Sequence, residues 1–267
     1  MAKLTKPQMK AHNEALRILR KDRLTDDERD YVFTNFHPGT EHMNGAAGAF
    51  FTPPSLANDA TIGVSGRVLD LCAGIGTLAA HVHWGSQYDH SKRTSLDVTC
   101  VEINPRYVEI GRKLCPWANW INADIFKLNP SKLGRFDWVI SNPPFGTVSR
   151  TGNAPRYSGR HFDLHVLDIA AEYSDYAAFI LPAMSAPFKY SGNRFYERLE
   201  NSRGAEYERH TGAMLQPHVG IDCTVYKDDW KDVSPAIEVV EADFSSIQRN
   251  ALARLEGSQQ LDLLAAE

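Results

Sequence analysis

The chain has 267 residues, 43% hydrophobic and 23% charged, the balance of a soluble globular domain with additions and not of a disordered or fibrous chain. No apolar run is long enough to span a bilayer, and Met1–Lys6 leads into polar residues with no apolar signal core, so a cytoplasmic protein without a membrane partner is expected. A formal net charge of −4 supplies no global attraction to nucleic acid, so any such surface has to be a local basic patch.

Residues 6–20 read as an amphipathic helix with Met9, Leu16 and Leu19 on one side. Thr25-Asp26-Asp27-Glu28 has capping-box spacing and opens a second helix. These helices either pack on the main domain or serve in dimerisation, and a monomer and a dimer both stay open. Gly45 to Pro54 is small, then aromatic, then proline-fixed, ahead of a helix beginning near Ser55. Cys72, Cys100, Cys115 and Cys223 include no CxxC pair and no zinc spacing, so no metal is expected.

Arg67 to Leu71 is a β run that enters a turn containing Gly74 and Gly76, followed by a helix through Leu78. A pyrophosphate site would want GxGxxG, whereas here Asp70 repels phosphate and suits a cationic ligand. His81 to Thr94 reads as a helix end and exposed loop, with His81, His83 and His90 as solvated groups and not ligands. A second strand from Leu96 ends at Glu102, placed as such acids are to bind ribose hydroxyls. A short third strand near Trp120 precedes Asp124, and a fourth, Asp137 to Ile140, delivers Ser141-Asn142-Pro143-Pro144-Phe145-Gly146. The proline pair fixes two φ angles and removes two N–H donors, so the loop offers the Asn142 amide oxygen and the Pro143 carbonyl as acceptors beside an aromatic face. That suits a planar ring carrying an exocyclic amine.

Asn142 to Phe145 resembles the catalytic motif of S-adenosylmethionine-dependent amino methyltransferases, the DNA adenine-N6 methyltransferases above all. The resemblance spans about residues 50–182, with its motifs in the expected order. It implies a Rossmann-like methyltransferase fold: α/β, with a doubly wound, mostly parallel sheet. It implies S-adenosyl-L-methionine as cofactor and DNA as partner, with RNA as the alternative. Phe51, Thr52 and Pro53 match the stretch that closes over the methionine end of the cofactor. Asp70, Ala73, Gly74 and Gly76 match the first cofactor motif. Glu102 and Ile103 follow at the ribose, Asp124 and Ile125 at the adenine. Asn142, Pro143, Pro144 and Phe145 would hold the target base. RNA adenine enzymes share the motif; cytosine-N4 enzymes more often carry Ser for Asn142, and protein glutamine enzymes favour Tyr for Phe145. A silent cofactor-binding subunit is the non-enzyme alternative.

The stretch 147–161 holds three arginines and reads as a mobile basic loop, with Arg150, Arg156 and Arg160 as phosphate contacts. Phe188 to Arg198 mixes aromatic and basic residues and reads either as a nucleic-acid contact through Lys189 and Arg194 or as an amphipathic helix from Arg194. A fifth strand spans Tyr176 to Leu181. Ile221 to Tyr226 and Ala236 to Ala242 are expected to pair as a C-terminal antiparallel hairpin. The expected division is an N-terminal helical extension (1–48), a methyltransferase domain (49–243, with insertions 147–161 and 186–218) and a helical tail (244–267). No block is large enough for a separate target-recognition domain, which leaves sequence preference short, weak or supplied by a partner.

Overall fold

The computed structural model describes residues 4–37, 50–88, 96–231 and 233–247. Gly45 to Ala49, His90 and the tail beyond residue 247 lie outside them. Strands β1 (Arg67–Leu71), β2 (Asp97–Glu102), β3 (Asn119–Asn122), β4 (Trp138–Ser141) and β5 (Tyr176–Pro182) alternate with helices. A two-stranded ribbon follows, β6 (Phe188–Lys189) with β7 (Glu197–Arg198), and then β8 (Met214–Pro217) and β9 (Ile237–Asp243). The helices are α1 (Lys6–Ile18), α2 (Asp26–Asn35), α3 (Pro54–Ala60), α4 (Thr77–Tyr88), α5 (Pro105–Leu114), α6 (Pro130–Leu133), α7 (Phe162–Ala170) and α8 (Arg203–Thr211).

The main sheet runs β3-β2-β1-β4-β5-β9-β8. Its first five strands are parallel and β9 is antiparallel to both neighbours. This is the doubly wound, mostly parallel sheet of a Rossmann-like methyltransferase fold. Parallel order brings the carboxyl ends of β1, β2, β3 and β4 to one edge, so the residues leaving each strand share one site. Alternation along β1 splits the core. Val68 joins the layer built from α1 to α5, while Leu69 and Leu71 face the layer containing α7 and α8.

Both N-terminal helices open with complete capping boxes, Thr5 with Gln8 and Thr25 with Glu28. They pack on the main core through Ala15, Ile18, Val32 and Phe33. Of the expected face of α1, Leu16 and Leu19 are half-buried against the core, but Met9 is exposed, and the buried residues are His12, Ala15 and Ile18. Lys231 fastens this layer by donating from its ammonium to the Phe33 and Phe36 carbonyls at 2.9 and 2.7 Å.

Three further expectations are corrected. Residues 81–88 belong to α4, and His81 and His83 are packed against tryptophans, His83 stacked on Trp117 at 3.9 Å and His81 edge-on to Trp84. Burial holds the His81 pKa down at about 4. The antiparallel end of the sheet is present, but its first strand is β8. Cys223–Tyr226 is a 3-10 turn, because the Asp222 carboxylate accepts from the Thr224 N–H and hydroxyl and pulls the backbone out of extension. Arg194 to Leu199 forms no helix, since Glu197 and Arg198 pair with Lys189 and Phe188.

Gly111 in α5 lies flat against the Trp120 ring: a Cβ there would come within 2.1 Å of a ring carbon. The ring is itself held by its indole N–H donating to the Cys115 carbonyl. Gly111→Ala would gain ~1 kcal/mol of helix propensity in an isolated helix. Here it is expected to lose ~1–3 kcal/mol by overpacking. Thermal melting checks the sign; a melting point at or above wild type would contradict the packing.

Candidate active site

Asp70 sits in β1 between Cys100 of β2 and Ile140 of β4, at the middle of the sheet. Its side chain is buried, and neither carboxylate oxygen meets a partner within hydrogen-bond geometry among the described residues. Burial drives its pKa well above the usual carboxylate range; the Ala79 N–H counters this and Glu102 adds to it. An uncompensated buried carboxylate is costly unless a cation meets it. Asp70 lines a narrow cleft with Phe50, Phe51, Thr52, Gly74 and Asn142. The cleft holds about 20 Å³, little more than one water. It is narrow because Phe51 lies over Gly74, whose added Cβ would meet the ring at 3.2 Å. Gly74 (φ +58°) and Cys72 (φ +59°) both take left-handed backbone to make the turn. Ala73 stands between them, and Gly76 (φ +91°) closes the turn against Trp120.

Asn142 follows the last residue of β4. Its amide nitrogen donates to the Phe50 carbonyl at 2.9 Å and to Thr52 Oγ1 at 3.0 Å. Its Oδ1 is buried and accepts nothing among the described residues. The amide is therefore held from one end and presents an acceptor at the other. Pro143 is buried and Pro144 half-buried, as Phe145 is, its ring 6.2 Å from that of Phe50. Pro53 is buried beneath this segment as the residue before α3.

Glu102 ends β2. Its two oxygens accept from the Gly74 N–H at 2.9 Å and the Asn104 N–H at 2.8 Å, so it braces the glycine turn. Burial raises its pKa, and these backbone donors oppose the rise. Ile103 beside it is 64% exposed, a large aliphatic group left open at the sheet edge. Asp124 accepts from the Phe126 N–H and from the Thr151 hydroxyl, while Ile125 is buried in the core. The sheet edge thus gathers Asp70, Gly74, Glu102, Asp124 and Asn142.

The stretch after the Asn142-Pro143-Pro144-Phe145 loop is tied down, contrary to the expected mobile loop. Gly146 (φ +78°) is clasped by α7: its carbonyl accepts from the Phe162 N–H, and its N–H donates to the buried Asp163 carboxylate at 3.2 Å. One turn on, His165 accepts from the Ala154 N–H and bonds the Gly159 carbonyl at 2.7 Å. Asp168 accepts from the Arg156 and Tyr157 N–H groups, the Arg156 guanidinium and the Tyr207 hydroxyl. Arg156 also pairs with Glu172 at 2.7 Å, so its guanidinium already has two carboxylate partners within the fold. Arg150 bonds the Asn153 side chain and the Gly159 carbonyl. Arg160 and Lys189 are exposed, and the Arg194 guanidinium lies over the Phe195 ring. The readable signal for this tie was three titratable residues, Asp163, His165 and Asp168, in an otherwise apolar nine-residue helix. Thr77, Leu78 and Phe50, which line the cleft, carried no signal beyond their neighbours.

Residues 54–154 match the methyltransferase small domain family. That stretch begins at α3 and ends beyond Phe145, and the match implies S-adenosylmethionine as cofactor. A tRNA1(Val) (adenine(37)-N6)-methyltransferase from Klebsiella pneumoniae is 29% identical over 143 residues, covering 49% of this chain. The chain spans 55% of that relative's length. The type I restriction-modification methyltransferase subunit from Streptococcus thermophilus shares the fold, with a TM-score of 0.52 and 16% identity over 82% of this chain and 48% of its own. The type IIG restriction endonuclease BpuSI does so with a TM-score of 0.51 and 17% identity, over 82% of this chain and 28% of its own. Among the described residues no helix is long and apolar enough to cross a membrane.

Arg156→Ala is expected to act on the fold. It strips the guanidinium from a fully buried Asp168 and should cost ~2 kcal/mol, below the usual cost of an orphaned buried charge because Tyr207 and two backbone donors remain. Chemical denaturation reads this directly; wild-type stability with weakened nucleic-acid binding would return Arg156 to the phosphate contacts.

Proposed function

We propose that the protein transfers a methyl group from S-adenosylmethionine to the exocyclic N6 amine of adenine in DNA. The observation that carries this is Asn142, whose amide nitrogen is doubly anchored and whose buried Oδ1 is left as an acceptor. A second reading, adenine in RNA, is favoured by the tRNA-acting relative. DNA is placed first because Phe51-Thr52-Pro53 resembles the DNA enzymes and Thr52 is one of the two groups that hold Asn142.

The residues present fit the cofactor in chemistry, since Asp70 would offer its cationic end a buried carboxylate whose oxygens meet no partner within hydrogen-bond geometry. S-adenosylmethionine, when bound, supplies the electrophilic methyl group. Asp124 and Glu102 are the acceptors for its adenine amine and ribose hydroxyls. The target base leaves its stack to reach the pocket. Asn142 Oδ1 and the Pro143 carbonyl accept the two amine hydrogens, which turns the nitrogen lone pair outward. Phe145 stacks on the ring. The chain's contribution is alignment and fixed dipoles, with no residue forming a covalent bond.

Methyl transfer from labelled cofactor to duplex DNA, single-stranded DNA, RNA and protein, with products identified by mass, tests the reading. N6-methyladenine from DNA supports it, the same nucleoside from RNA alone moves it to the second reading, and methylglutamine overturns both. Asn142→Ala should lower turnover by about 10²-fold or more, with cofactor affinity by calorimetry nearly unchanged. Asp70→Ala should weaken cofactor binding first. The raised Asp70 pKa sets the sign of a further effect: the free protein binds a proton that a cationic ligand expels. Cofactor affinity should therefore rise with pH, with proton release visible as a buffer-dependent binding enthalpy; a pH-independent affinity would remove Asp70 from the cation's contacts.

A further inference from the structure

We propose that the groove between residues 157–161 and α8 holds the phosphodiester backbone of the nucleic-acid substrate, with Arg160 and Arg203 as its phosphate contacts. This rests on the nucleic-acid reading above. The groove encloses about 470 Å³ and is lined by Tyr157, Arg160, His161, Arg203, Glu206 and His210, among others. It adjoins the catalytic loop: His161 is the residue before Phe162, whose N–H clasps the Gly146 carbonyl at 2.8 Å.

The charge arrangement calls for an anion. Arg203 is half-buried, yet it makes no ion pair or side-chain hydrogen bond among the described residues, and neither does the exposed Arg160. The Arg203 guanidinium from α8 and that of the neighbouring Arg160 both act on the His161 ring, with Asp163 as the acid opposing them. His161 Nδ1 is buried without a partner. Glu206 is the one acid lining the groove; it is exposed to water. The neighbouring Arg156 provides the contrast, because its guanidinium has two carboxylates of its own. Arginine is the side chain suited to phosphate oxygens, through its planar fork of donors. The wall is also stiff. Tyr157 is held through its N–H by Asp168, and α8 is capped by Ser202 and packed through Tyr207, whose hydroxyl donates to the same Asp168. One buried carboxylate thus fixes both sides of the groove at a set separation. Contacts of this kind set register and carry no sequence information.

The test uses the full chain and fluorescein-labelled adenine-containing oligonucleotides, as DNA duplex, DNA single strand and RNA, titrated at several salt concentrations. The double variant Arg160→Ala/Arg203→Ala is expected to weaken binding of the preferred oligonucleotide at least tenfold. The slope of log affinity against log salt should fall by about one per arginine removed. Cofactor affinity and kcat at saturating oligonucleotide should stay within about twofold, so the loss appears in KM. Arg203→Lys should restore the salt slope while recovering only part of the affinity, which separates charge from fold. A double variant with wild-type affinity and salt slope, on a wild-type enzyme that methylates nucleic acid, overturns the groove alone. A wild-type protein that binds none of the three oligonucleotides overturns the groove and the reading beneath it together.

Discussion

The site depends on the way the Asn142 side chain is held. A free amide can rotate by a half turn and exchange donor for acceptor at little cost. Here the Phe50 carbonyl and the Thr52 hydroxyl both take hydrogens from the nitrogen, which removes that freedom. The orientation of the oxygen is thereby set by residues about 90 positions earlier in the chain. Thr52 is buried and Phe51 lies over Gly74, so the same short segment touches the turn below and the asparagine above. The glycine turn and the asparagine amide thus share one supporting piece of backbone.

Two buried aspartates illustrate opposite uses of the same group. Asp168 is surrounded by donors from the backbone, Arg156 and Tyr207, and its burial stiffens the structure around it. Asp70 is equally buried and has no such shell, only the Ala79 N–H acting against desolvation. In a low-dielectric interior the first arrangement is compensated and the second is left largely uncompensated. The clasp between Gly146 and Asp163 belongs with Asp168, since it holds the proline loop from behind without entering the cleft.

The parallel strands were legible because each is a short apolar run with a polar residue at its exit, and parallel order brings those exits together. Asp70, Glu102, Asp124 and Asn142 could be placed on one edge from that pattern alone. The Thr25 capping box was readable for the same local reason. What could not be read depended on partners distant in sequence. Arg156 sits among basic loop residues, and only the turn of the chain into α7 brings Asp168 and Glu172 to it. Strand β8 was hidden because four residues ending in proline give little alternation, while Ile221 to Tyr226 has strand composition that Asp222 overrides. His81 and His83 looked solvated among polar neighbours, yet they face Trp84 and Trp117.

Among the described residues strand β9 is the last of the sheet in sequence but lies inside it, pairing along all seven residues with β5 and on its other side with β8. As the chain is made, β5 and β8 emerge before the strand that lies between them in the sheet. Each keeps a row of free amide groups until residues 237–243 leave the ribosome. Until then the nascent chain carries open strand edges, the feature that most readily recruits other chains. Completion of the sheet waits for β9, so a chain stalled before that strand is a candidate for chaperone capture and not a smaller working domain.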